Sequence, residues 1–218
     1  MSGIVFVLDG AGAAGFTPKV LRKSLAVLPY EVNHFYWATG YGLISDLTDR
    51  KNIEKKALEL SAAITEYRQN NENGRVFVIA KSAGTMVALR ALAQVEAHAV
   101  ERVVLMSPAV SKDFVLVDAL KAVKNEMVSF WSPIDLFFLG LGTSVFGTAD
   151  GIRGKGAGVC GFQLPADLSA SEDYSKLRQI KWTPSMARCG HFGDHWGNSM
   201  PPFVDRYIVP LFLENSQT

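Results

Sequence analysis

Cysteine is scarce in this chain: Cys160 and Cys189 are the only two among 218 residues, far apart and without metal-ligand spacing. Their scarcity excludes a disulfide framework and a thiolate zinc site, and it suits a reducing compartment. Excess charge of one sign is also lacking. Twenty-two Lys and Arg face 21 Asp and Glu, a formal net charge of +1. With no basic run, the electrostatic footprint of a nucleic-acid binder is missing. No apolar stretch is long enough for a bilayer span; the longest, residues 136–145 (LFFLGLGTSV), is short and carries Gly140 and Gly142, so no stable membrane insertion is expected. The N-terminal MSGIVFVLDG has no basic segment and only five apolar residues before Asp9. It reads as a strand rather than a signal peptide, and a cytoplasmic location is the expectation.

What is present is a globular composition, 48% hydrophobic and 20% charged, enough for one sizeable core and a single domain over residues 1–218. Residues 4–8 (IVFVL) form a β-branched and aromatic run ending in a Gly-rich loop, as a strand buried on both faces does. Thr17-Pro18 then reads as a helix N-cap followed by proline at the first helical position. The alternation continues: helix 18–27, strand 31–37, helix 52–70, strand 75–80, helix 83–97, strand 102–106, strand 126–131, strand 180–188 and helix 201–214. This rhythm predicts an α/β fold, a three-layer α/β/α sandwich around a mostly parallel six-stranded sheet. Residues 133–173 carry eight glycines and receive no regular structure; long loops in compact domains are usually functional.

The chemistry concentrates at Ala80-Lys81-Ser82-Ala83-Gly84. A buried strand ends at Ala80 and a helix begins just beyond Ser82, the setting of a G-x-S-x-G nucleophile elbow, with small residues two before and two after the serine. Such a turn exposes the Ser82 hydroxyl beyond the carboxyl end of the sheet, at a helix N-terminus where the Ala83 N–H can stabilise an oxyanion. The plain alternative makes Ser82 a helix N-cap.

This stretch resembles the α/β-hydrolase superfamily, with Ala80 in place of the first elbow glycine and without the antiparallel strands that often open that fold. The resemblance runs from Ile4 over nearly the whole chain, and the candidate acid and histidine follow the serine in the family's chain order. It implies a base and an orienting acid for Ser82. Of four histidines, His34 falls in a strand and His98 near a helix end. His191 and His195 lie in GHFGDHWGNSMPPF, where the family carries its histidine. His195 is preferred for its closeness to the last helix and for the Gly-Asp pair before it, with His191 as the alternative. Asp135, in the loop after strand EMVSFW, takes the place of the family's carboxylate; Asp150 is the reserve, and Asp194 a local orienting group.

Residues 9–15 (DGAGAAG) formally satisfy G-x-G-x-x-G, a dinucleotide signature. Against it, Thr17-Pro18 starts the helix only after the glycines, and the second strand does not end in an acidic residue for a ribose. The resemblance uses the same loop otherwise, with the N–H of Ala11 or Gly12 joining that of Ala83 in an oxyanion hole. Tyr41, in the loop after the second strand, is a candidate substrate contact, and Phe137 and Phe138 are candidates for an acyl pocket or for core.

The expected function is a serine hydrolase that cleaves a small-molecule carboxylic ester through Ser82, His195 and Asp135. It needs no cofactor and no metal, and has no nucleic-acid partner. A catalytically silent binding protein on the same fold and a nucleotide-binding oxidoreductase are the alternatives.

Overall fold

A strand covered on both faces needs apolar residues at successive positions, and GIVFVL and RVFVIAK supply them. They form β1 (Gly3–Leu8) and β3 (Arg75–Lys81), neighbours in the middle of the sheet. With β2 (Glu31–Phe35), β4 (Val100–Met106), β5 (Val123–Trp131) and β6 (Leu177–Lys181) they make six strands in the order β2-β1-β3-β4-β5-β6, every pair parallel. The computed structural model describes residues 2–12, 15–135, 148–152, 154–165 and 171–213.

The strands' alternation sorts their side chains into two cores. Ile4, Phe6, Leu8, Val76, Val78 and Ala80 face α3 (Arg50–Asn70), α4 (Gly84–Leu92) and α5 (Val117–Lys121). Val5, Val7, Phe77 and Ile79 face α1 (Phe16–Leu25) and the C-terminal helix, which runs through Pro201–Phe203, a π-helical turn over Val204–Ile208, and Val209–Leu213. The three expected layers are present. A further short helix, α2 (Leu43–Thr48), follows β2.

Several boundaries depart from expectation for identifiable reasons. Thr17 is not the cap of α1: Gly15 is, at φ 88°, and the buried Asp9 carboxylate accepts the Thr17 N–H at 3.2 Å. The cap is thus supplied from outside the helix, which local sequence does not disclose. The last strand ends at Lys181 rather than 188, because Pro184 opens a 3-10 turn over Pro184–Cys189. The second strand stops at Phe35, and Trp37 turns inward to donate its indole N–H to the Asp9 carbonyl at 2.7 Å.

Order in the sheet determines where a ligand fits. The chain leaves β1 toward β2 on one side and returns to β3 on the other, so β1 and β3 flank a topological switch point, where open α/β sheets bind ligands beyond the carboxyl ends of their strands.

Candidate active site

Ser82 follows β3 directly at this switch point, with φ 51°, a left-handed conformation that costs a non-glycine residue about 1–3 kcal/mol. Its backbone is held from β4: the Ser82 N–H donates to Met106 O at 2.9 Å, and Ser82 O accepts from Ala109 N at 3.2 Å. The turn also depends on Gly84, where a Cβ would lie 2.2 Å from the Asp9 carbonyl oxygen. Gly10, across the crevice, would bring a Cβ to 3.2 Å from that of Ser82. The missing side chains therefore let the loop after β1 lie against the serine. Ala83, the N-cap of α4, begins a helix whose first N–H groups have no intrahelical acceptor.

After β5, the Ser132-Pro133-Ile134 turn buries Asp135, and the loop after β6 buries His195. Nδ1 of His195 stands 2.8 Å from Oδ2 of Asp135. The turn carrying the histidine is held by Asp194, whose Oδ1 accepts from Trp196 N at 2.8 Å and Gly197 N at 2.9 Å. Burial and the nearby Lys81 charge keep the His195 imidazole below its usual protonation range, against the pull of Asp135 and Asp194. Such a ring is neutral near pH 7.

Lys81, immediately before Ser82, is only 1% exposed. Its Nζ donates to the main-chain carbonyl of His195 and, at 2.7 Å, to Oδ1 of Asn198; Nδ2 of Asn198 donates in turn to Oγ of Ser107 at 2.9 Å. One buried network thus links the ends of β3 and β4 to the histidine loop. Burial draws the lysine down to about 7, while the carboxylates of Asp135, Asp194 and Asp9 resist that shift. The sequence reading passed over Lys81, although a signal exists. In RVFVIAK the lysine continues the Phe77, Ile79 face, an apolar position in a strand otherwise covered on both sides.

The residues from 26 to 149 match the model of a family described as "Alpha/beta hydrolase of unknown function". The chain belongs to the α/β-hydrolase family. That match takes in Ser82 and Asp135 and ends before His195. Solved structures of similar fold include an esterase from Pyrococcus furiosus, 14% identical, covering 94% of this chain and 82% of that one with a TM-score of 0.47. An α/β-superfamily hydrolase from Xanthomonas campestris pv. campestris is also 14% identical, with 93% and 96% coverage and a TM-score of 0.48. A Trichoderma reesei cutinase is 16% identical over 55% of this chain and 58% of its own length, with a TM-score of 0.40. No curated protein shows significant sequence similarity to the chain.

In this α/β hydrolase the competing candidates have other partners. His191 is buried against Phe203, ring centroids 4.9 Å apart, and its Nδ1 accepts from Gly193 N at 3.3 Å; burial takes it down to about 4. Asp150 staples a different loop, accepting from Ser111 N at 3.0 Å and from the Thr148 hydroxyl. The Gly12 N–H, expected to face an oxyanion, instead donates to Oδ2 of the buried Asp46 at 2.8 Å, while Oδ1 of the same carboxylate takes the Thr39 N–H at 2.7 Å. That tie commits an amide of the Gly-rich loop to an internal carboxylate rather than to a ligand phosphate. Tyr41 is 89% exposed beside it. Phe137 and Phe138 lie outside the described residues. Among the described residues no cluster of His, Cys, Asp and Glu is able to hold a metal ion, and no helix is long and apolar enough to cross a membrane.

Proposed function

We propose that this α/β hydrolase is a serine hydrolase that cleaves carboxylic esters, with Ser82 as nucleophile, His195 as general base and acid, and Asp135 as the carboxylate that orients the imidazole. The observation that carries the proposal is the buried His195–Asp135 pair at 2.8 Å, on a loop bonded to the residue immediately before Ser82.

Asp135 accepts a hydrogen bond from the Nδ1–H of His195, leaving the Nε2 lone pair to receive the Ser82 proton as Oγ attacks the ester carbonyl carbon. The oxyanion is stabilised by the N–H groups of Ala83 and Ala11. Collapse breaks the bond to the alcohol oxygen, which leaves with the proton from Nε2, and the acyl group remains on Oγ. Water then gives a proton to Nε2 and its oxygen to the carbonyl carbon. Collapse of this second intermediate returns the proton to Oγ and releases the carboxylic acid.

Side chains at the mouth favour an apolar substrate group. Phe16, Tyr41, Leu43, Ile44, Ile134 and Phe192 are all exposed on segments following the carboxyl ends of strands, the end of a parallel sheet at which ligands bind. The expected substrates are esters with an apolar acyl or alcohol part.

The test is a fluorophosphonate probe read by intact mass and peptide mapping. One adduct on the Ser82 peptide, lost in Ser82→Ala and His195→Ala, supports the reading. Folded wild-type protein that takes up no label overturns it.

A further inference from the structure

We infer that Lys81 is a positioning residue for the proposed hydrolytic site: its buried ammonium clamps the main-chain carbonyl of His195 and the Asn198 side chain, fixing the histidine loop to the nucleophile turn. The inference rests on the serine-hydrolase reading and assigns a role to a residue that touches neither the ester nor the reacting atoms.

Three observations carry it. Lys81 is covalently next to Ser82, so a hydrogen bond from Nζ to the His195 carbonyl closes a short loop between the proposed nucleophile and base without passing through the sheet. Asn198 extends the clamp to Ser107, which also stands at a strand end and has a left-handed backbone, φ 47°. Finally, a lysine this buried is costly unless its donors and its charge are both used. Two acceptors are in place, and the carboxylates of Asp9, after β1, of Asp135, after β5, and of Asp194, after β6, all act on it. The same charge bears on both histidines of the loop, His191 and His195, and disfavours their protonation.

The clamp and the charge have separable consequences. Without the clamp, His195 is free to drift from Ser82, and misplacement of a reacting group by about 1 Å can cost roughly 100-fold in rate. Without the charge, His195 protonates more readily, so the acid limb of the pH profile moves upward.

The experiment measures hydrolysis of p-nitrophenyl butyrate and fluorophosphonate labelling from pH 5 to 9 in wild type, Lys81→Met and Lys81→Gln, alongside the urea midpoint of each. Lys81→Met is expected to lose about 100-fold in kcat with KM changed less than about threefold. Its acid limb should move to higher pH. Lys81→Gln keeps one donor for the His195 carbonyl, so it should recover part of the kcat while its acid limb stays shifted. A purely structural lysine would lower the urea midpoint of both variants and leave kcat and pH profile of the folded fraction unchanged; that result overturns the inference. If neither variant folds, Asn198→Ala carries the test: it removes one of the two acceptors of Nζ and should lower kcat with KM little changed, whereas an unchanged kcat in the folded variant overturns the inference. Wild-type protein that is inert toward both probes overturns the hydrolase reading itself, and this inference with it; active wild type with unaltered variants overturns this inference alone.

Discussion

Asp135 and His195 meet at 2.8 Å, carboxylate oxygen to Nδ1, with both side chains buried. The two come from loops sixty residues apart in sequence, and adjacency of β5 and β6 in the sheet is what brings them together.

From this pair the first prediction follows. Asp135→Asn keeps the shape but no longer favours the imidazole tautomer that presents a free Nε2. Ester hydrolysis should fall about 10³–10⁴-fold in kcat, with a urea midpoint near that of wild type. Undiminished turnover in p-nitrophenyl ester assays would remove Asp135 from the proposed triad.

His191 gives a pH prediction of stability rather than chemistry. Folded, it stays neutral down to about pH 4, whereas its ordinary value is 6.5. Above about pH 6.5 both states are neutral and nothing is lost. As pH falls from there toward 4 only the unfolded chain takes up the proton, so stability declines by roughly 3 kcal/mol in total and then levels off. Urea denaturation at several pH values should show this limb, and His191→Asn should make it shallower, the remainder coming from His195, which burial also holds below its usual range. An identical slope in the variant would count against the assignment.

Gly84→Ala tests the packing behind the elbow. The added methyl would meet the Asp9 carbonyl oxygen at 2.2 Å, and the indole nitrogen of Trp37 at 3.1 Å and Cβ of Leu8 at 3.2 Å leave little room to yield. A destabilisation of about 1–3 kcal/mol is expected, with slower labelling of Ser82 because the loop after β1 must withdraw. Chemical denaturation and labelling kinetics on the same sample read both effects.

Tyr41→Ala addresses the mouth. Since Tyr41 is almost wholly exposed, stability should change by less than about 0.5 kcal/mol. KM for p-nitrophenyl butyrate should rise severalfold while kcat holds, the mark of uniform binding lost. Unchanged steady-state constants would place the substrate elsewhere on the rim.

The parallel sheet was legible because its strands are continuous apolar runs separated by helix-length segments, and the elbow because small residues surround Ser82 at a strand-to-helix junction. Asp135 and His195 were singled out through the family resemblance, and what the structure adds is that the two side chains pair. Contacts made across the crevice were not readable. Nothing local to Gly12 announces that Asp46, thirty-four residues away, takes its N–H, and nothing around Thr17 says that Asp9 caps its helix. Lys81 stood in plain view, but a lysine's partners depend on which backbone carbonyl the fold brings near.

The Asp46 carboxylate joins the loop after β1 to the loop after β2, holding Gly12 with one oxygen and Thr39 with the other. Neither loop can shift at these positions without breaking a hydrogen bond to a buried carboxylate or carrying the other loop with it.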